Sequence, residues 1–104
     1  MLSKKKILLL GSTGSIGTNT LNVLRRFPKK FSITALTANN NIQLLSEQIA
    51  EFNPEAVVVG SKEKAVALSE FIDFNGKILI GESGLIEATK SYDYDILVSS
   101  LVGF

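Results

Sequence analysis

The segment Gly11-Ser12-Thr13-Gly14-Ser15-Ile16-Gly17 restricts the possible folds of this chain more than any other, because of what stands on either side of it. Before it runs Ile7-Leu8-Leu9-Leu10, a continuous apolar stretch of the kind that forms a buried strand. After it, apolar residues recur at helical spacing. A buried strand, a tight glycine turn and a helix N-terminus, in that order, make a phosphate-binding site. Glycine permits the left-handed backbone of the turn and lets a ligand approach the main chain closely. Unpaired N–H groups in the first helical turn, aided by the helix dipole, favour an anion there. The glycines Gly11, Gly14 and Gly17 form a variant of the G-x-G-x-x-G dinucleotide fingerprint. Glycine turns also join strands to helices in proteins that bind no nucleotide. Here the turn follows the first strand and heads a βαβ pattern, and that context favours a nucleotide.

The rest of the chain repeats the alternation. The first strand is expected at about Lys6–Gly11 and the first helix at about Ser15–Phe27, with Ile16, Leu21, Leu24 and Phe27 inward. Pro28 and Lys29-Lys30 end that helix. A second strand covers Phe31–Ala38, and Asn39-Asn40-Asn41 makes a polar turn able to cap the next helix. Ile42, Leu45, Ile49 and Phe52 form one amphipathic face, which Asn53-Pro54 stops. Ala56–Val59 reads as a fully buried strand, and Ser61 as the N-cap of a helix to about Phe74. Lys77–Ile80, a weaker helix from Glu82 to about Ser91, and Asp95–Ser99 complete the series. Strands alternating with helices imply an α/β fold, a doubly wound parallel sheet of Rossmann type covered by helices. With the first strand at the centre and right-handed crossovers, the expected strand order is 3-2-1-4-5. Ligands bind such sheets beyond the strands' carboxyl ends, where strand order reverses. The loops after strands one, two, four and five are therefore expected to form the site.

With 104 residues, the chain is expected to be one dinucleotide-binding domain spanning 1–104. Eleven basic residues offset ten acidic ones, so no strong field draws nucleic acid or an anionic membrane. Cysteine and histidine are both absent, which excludes disulfides, thiol nucleophiles, the common zinc sites and imidazole bases within these residues. No run approaches the roughly 18 apolar residues of a membrane span. Met1-Leu2-Ser3 leaves no room for a leader before the first strand. A cytoplasmic setting is the resulting expectation.

The end of the second strand discriminates between cofactors. NAD-preferring folds carry an acidic residue there to accept hydrogen bonds from the ribose hydroxyls. This chain has Thr37-Ala38-Asn39-Asn40-Asn41, with no carboxylate. Amide and turn N–H groups can donate to a 2′-phosphate that a carboxylate would repel, which favours NADP. The loop also lacks the Arg or Lys that binds phosphate most strongly.

On these residues the chain resembles the N-terminal part of the 1-deoxy-D-xylulose 5-phosphate reductoisomerase family. The resemblance rests on K-I-L-L-L-G-S-T-G-S-I-G-T-N-T-L-N-V-L from Lys6 to Leu24 and on A-L-T-A-N-N-N from Ala35 to Asn41. It continues through the spacing of Gln48, Phe52 and Pro54 to S-S-L-V-G from Ser99 to Gly103. It implies that Thr13, Gly14, Ser15 and Ile16 hold the NADPH pyrophosphate and that Asn39, Asn40 and Asn41 surround the 2′-phosphate. It likewise implies that Ser99, Ser100 and Leu101 line the nicotinamide side. Family members often carry Lys or Ser where this chain has the uncharged Asn40. The family reaction, NADPH-dependent rearrangement and reduction of a sugar phosphate with a divalent metal (Mg or Mn), belongs to a longer protein expected to be a homodimer. No catalytic or metal-binding residue of that reaction matches within these 104 residues, so this chain alone is expected to be inactive.

Other readings stay open. Semialdehyde dehydrogenases and extended short-chain reductases use the same glycine spacing, and Tyr92 and Tyr94 lie near the fifth strand, though without a lysine four residues on. A non-catalytic nucleotide sensor is the third reading. Against it, Leu101-Val102-Gly103-Phe104 is apolar and reads as an interrupted element rather than a frayed terminus.

Overall fold

In a computed structural model of the chain, residues 4–38 and 40–100 are described. Strands β1 (Lys5–Leu10), β2 (Phe31–Ala38), β3 (Ala56–Val59), β4 (Lys77–Ile80) and β5 (Ile96–Ser99) alternate with four helices. These are α1 (Ser15–Arg25), α2 (Ile42–Phe52), α3 (Lys62–Phe71) and α4 (Gly81–Ser91). Every strand pairing is parallel. The expected doubly wound α/β sheet is therefore present. No helix among the described residues is long and apolar enough to cross a membrane.

The strand order differs from the expected one. The sheet runs β4-β3-β2-β1-β5, so β4 extends the sheet beyond β3 and β5 takes the place beside β1. Burial explains the difference. Ala56-Val57-Val58-Val59 is buried throughout and needs a strand on each side, whereas β4 is mostly exposed and tolerates an edge. The chain thus steps in one direction from β1 to β4 and then returns across the sheet to β5. Right-handed crossovers put the helices of the outward steps on one face and the helix of the return step on the other. Accordingly, α1, α2 and α3 bury Leu21, Leu24, Ile42, Leu45, Ile49 and Leu68 against Ile7, Leu9, Leu36 and Val57. On the opposite face α4 sets Ala88 among Leu8, Leu10, Ala35, Val58 and Leu79.

Two local features set how the strands present their ends. Opposite Ile7 and Leu8 the β1–β2 register skips Thr34, a bulge that switches which face later β2 residues occupy. The buried Thr34 hydroxyl donates to the Asp93 carbonyl at 3.0 Å, which ties the bulge to the approach of β5. At the C-terminus of α2, Asn53 adopts φ 47° and Pro54 follows, a left-handed stop of the expected kind.

Helices α1 and α2 are bridged at their surface. The Arg25 guanidinium forms a two-armed ion pair with Glu51, bonds the Asn22 side chain, and lies 5.5 Å from the Phe52 ring centroid. Bonding to Arg25 lowers the Glu51 pKa below its ordinary value. A lowered folded pKa adds stability above the unfolded value, and that stability is lost as pH falls through the folded one. Both side chains are more than two-fifths exposed, so the contribution is at most about 1 kcal/mol. Glu51→Gln should therefore lower the melting temperature slightly at neutral pH. The difference from the parent chain should shrink in melts at acid pH, as the pH falls through the lowered folded pKa of Glu51 and its carboxylate takes up a proton.

Candidate functional site

Gly11 follows β1 directly and turns the chain with φ 79°, a left-handed conformation that only glycine adopts without strain. The turn hangs from the end of β2. Gly11 N–H donates to Thr37 Oγ1 at 2.8 Å, and Ser12 N–H donates to the Thr37 carbonyl at 2.8 Å. From the other side, Ser100 Oγ donates to the Leu10 and Gly11 carbonyls at 2.9 and 2.6 Å. Below the turn, Ser12 is fully buried against Gln48 of α2.

The three fingerprint glycines do different work. A Cβ on Gly17 would lie 2.1 Å from the Gly11 carbonyl oxygen, so Gly17 lets the first turn of α1 rest on the backbone of the glycine turn. Gly14 is the N-cap of α1, with φ −77° and ψ 175°, angles open to any residue. A Cβ there would meet only the Gly11 oxygen, at 3.9 Å. No contact among the described residues requires a glycine at that position, and its main chain is open to close approach from solvent. No side chain caps α1 and its first turn holds no acidic residue, whereas Asn41 and Ser61 cap α2 and α3. The initial N–H groups of α1 remain available to an anion.

Gly14, Ser15 and Ile16 form the exposed crest of this turn, with Thr13 half-buried beside them. Ile16 corrects a sequence expectation. Its side chain is 59% exposed, because Gly17, Leu21 and Leu24 define the inner face and Ile16 lies a residue's rotation away. Phe27 lies beyond the helix end, 42% exposed and edge-on to Phe31.

Sheet pairing brings the neighbouring candidates alongside. Leu10 is paired with Thr37 of β2 and with Ser99 of β5, so the loops after β2 and β5 flank the glycine turn. Asn41 spends its Oδ1 on the Leu44 N–H at 3.2 Å, and the exposed Asn40 accepts the Ile42 N–H through its carbonyl. Ser99 is exposed. The Ser100 hydroxyl faces back into the turn and supports it from behind. Asn39 and Leu101 lie outside the described residues. The loop after β4 does not contribute: β4 stands three strands from β1, roughly 14 Å at the usual strand spacing.

Sequence reasoning gave no structural role to the residues that hold the turn in place, namely Ser12, Thr37 and the amide of Gln48. One signal was available for the last. Gln48 falls among the buried positions of α2, where a polar side chain requires a partner. The tyrosines have structural roles. Tyr94 donates to the Thr89 carbonyl at 3.0 Å, and Tyr92 packs beside the core under α4. Two hollows of about 230 and 190 Å³ lie against α1 and α2, lined in part by Leu24, Arg25 and Glu51, and neither includes a residue of the glycine turn. The turn is an open shelf at the carboxyl end of an interior strand. Among the described residues no three acidic side chains converge to hold a metal, so these residues do not fit a divalent cation site.

The sequence profile of 1-deoxy-D-xylulose 5-phosphate reductoisomerase matches residues 7–104. The chain belongs to that family. The reductoisomerase of Thermoanaerobacter sp. (strain X514) is 50% identical over 99 residues, which are 95% of this chain and 26% of that protein. That of Phocaeicola vulgatus is 44% identical over 102 residues, 97% of this chain and 27% of the relative. The chain thus spans about a quarter of the length of the reductoisomerases it matches. Among solved structures, DOX-P reductoisomerase in complex with NADPH, fosmidomycin and magnesium superposes with a TM-score of 0.87 at 32% identity. That match covers 95% of this chain and 25% of the other. The Zymomonas mobilis reductoisomerase in complex with NADPH gives 0.88 at 26% identity, covering 97% and 27%.

Proposed function

We propose that this chain is the NADPH-binding part of a 1-deoxy-D-xylulose 5-phosphate reductoisomerase. The whole enzyme would convert that sugar phosphate to 2-C-methyl-D-erythritol 4-phosphate in non-mevalonate isoprenoid biosynthesis. One observation carries the cofactor half of this reading: the uncapped N-terminus of α1 opens at Gly14, where a Cβ would meet no atom of the described residues closer than 3.9 Å. Thr13, Gly14, Ser15 and Ile16 would hold the pyrophosphate, with Gly11 and Gly17 shaping the turn. Asn39, Asn40 and Asn41 would receive the 2′-phosphate, and Ser99, Ser100 and Leu101 would border the nicotinamide. When bound, NADPH supplies the hydride for the reduction. The residues of this chain would orient it, and among the described residues no acidic cluster would hold the divalent metal. Residues 1–104 would form one cofactor domain without turnover of its own, working in the cytoplasm within a homodimer of the longer protein.

Calorimetric titration with NADPH and NADH tests the assignment. NADPH should bind more tightly, and equal or tighter NADH binding would remove the NADP reading. Asn40→Asp should weaken NADPH about tenfold by placing a carboxylate near the 2′-phosphate and leave NADH unchanged. Turnover of the sugar phosphate by this chain alone would contradict its role as a cofactor-binding part.

A further inference from the structure

Gln48 lies on the inner face of α2, 5% exposed, and Ser12 beneath the glycine turn is fully buried. Their contact is reciprocal. Ser12 Oγ donates to Gln48 Oε1 at 2.7 Å, and Gln48 Nε2 donates to the Ser12 carbonyl at 2.9 Å. Packing alone gives no reason for an amide here, since the buried neighbours Leu45 and Ile49 on the same helix are apolar. Burying polar groups is unfavourable unless they are paired, so the pair has a cost that a leucine would avoid.

Its effect is on the direction of a peptide plane. In a planar trans peptide the C=O and the following N–H point in opposite directions. Holding the Ser12 carbonyl inward on Gln48 therefore aims the Thr13 N–H outward, towards the crest formed by Gly14, Ser15 and Ile16. The preceding plane is held as well, by Ser12 N–H on the Thr37 carbonyl at 2.8 Å. Because α2 starts from Asn41, Gln48 also ties the loop after β2 to the glycine turn.

We infer that Gln48 is a positioning residue for anion binding: it fixes the Ser12–Thr13 peptide so that Thr13 N–H joins the N–H groups of the α1 terminus. The inference rests on the cofactor reading above, with NADP⁺ as the ligand probe.

The test compares Gln48→Leu, Gln48→Glu and Ser12→Ala with the parent chain, by NADP⁺ calorimetry across pH and by the NMR amide signals of the unliganded turn. Gln48→Leu should weaken NADP⁺ about tenfold or more, and Ser12→Ala, which loses one of the two bonds, should have a smaller effect. Gln48→Glu carries the decisive readout. At about pH 8 its carboxylate cannot donate to the Ser12 carbonyl, and binding should fall as in the leucine variant. Towards about pH 5.5 a buried carboxyl beside that carbonyl takes up a proton, regains the donor and should recover most of the affinity. Expressing affinity relative to the parent at each pH removes titration of the ligand's own phosphate. A purely structural role would shift melting temperature without that pH-dependent recovery.

Binding by both Gln48 variants within about twofold of the parent at every pH would overturn the inference. Should the leucine variant not fold, the pH profile of the glutamate variant decides alone. If the parent chain binds no NADP⁺, the proposed function fails. The positioning role is then judged by the Thr13 amide signal, which must move in Gln48→Glu at high pH and return at low pH.

Discussion

Gly17→Ala is expected to destabilise the chain by about 3 kcal/mol or more, seen as a melting temperature about 12 °C or more below that of the parent. The added Cβ would stand 2.1 Å from the Gly11 oxygen, 2.8 Å from Ser12 Cα and 2.9 Å from the Ser12 carbonyl carbon. All three are backbone atoms, so no rotamer change relieves the overlap. Nor can the backbone easily retreat. Gly11 and Ser12 are bonded to Thr37, and Ser100 holds the Gly11 carbonyl from the far side. The helix would have to lift from the turn, pulling Leu21 and Leu24 out of the core. For a small domain with about 5–15 kcal/mol of total stability, that is a large fraction. A melting temperature within a few degrees of the parent would mean that α1 does not rest on the turn as described.

Gly14→Ala should give the opposite pattern, with stability nearly unchanged and cofactor binding reduced about tenfold to a hundredfold. Its φ and ψ suit alanine, and the nearest atom to a new Cβ is 3.9 Å away. A small loss of capping preference is offset by reduced freedom of the unfolded chain, leaving a net change within about 1 kcal/mol. The methyl group would instead occupy the solvent side of the N-cap, where a phosphate must approach the N–H groups of α1. Thermal melts and NADPH calorimetry on the two glycine variants separate the roles. Loss of binding by Gly14→Ala at full stability assigns the N-cap to the ligand, and undiminished NADPH binding would place the anion elsewhere.

Much of this architecture could be read directly from the residues. Phe31–Ala38, Ala56–Val59 and Lys77–Ile80 occur where β-branched and apolar runs place them, and α2 occupies Ile42–Phe52 on the strength of its amphipathic spacing and the Asn53-Pro54 stop. Asn41 and Ser61 cap the helices they precede. Helix ends were less legible. The periodic pattern carries α1 to Phe27 and α3 to Phe74, whereas the helices end at Arg25 and Phe71: Phe74 packs on the core from the segment after α3, and Phe27 stays exposed beside Phe31. Ile16 misled for a related reason: an apolar residue at a helix start counts towards a period before the helix has reached the sheet.

The sequence by itself determined the order and kind of the elements, the phosphate-type turn at the end of the first strand, the absence of a carboxylate after the second and the family. All but the family follow from residue volume, backbone freedom and spacing along a short stretch of chain; the family follows from the resemblance of whole motif blocks. Only the tertiary structure decided that β4 lies at the far edge and β5 beside β1, because that choice depends on which strand is buried on both sides. It alone separated Gly17, which meets the backbone six residues earlier, from Gly14, whose nearest contact among the described residues is 3.9 Å away. It alone joined Ser12 to Gln48 across 36 residues and Ser100 to Gly11 across 89. Contacts of that range are created by the folded sheet and its crossovers, and no local pattern encodes them.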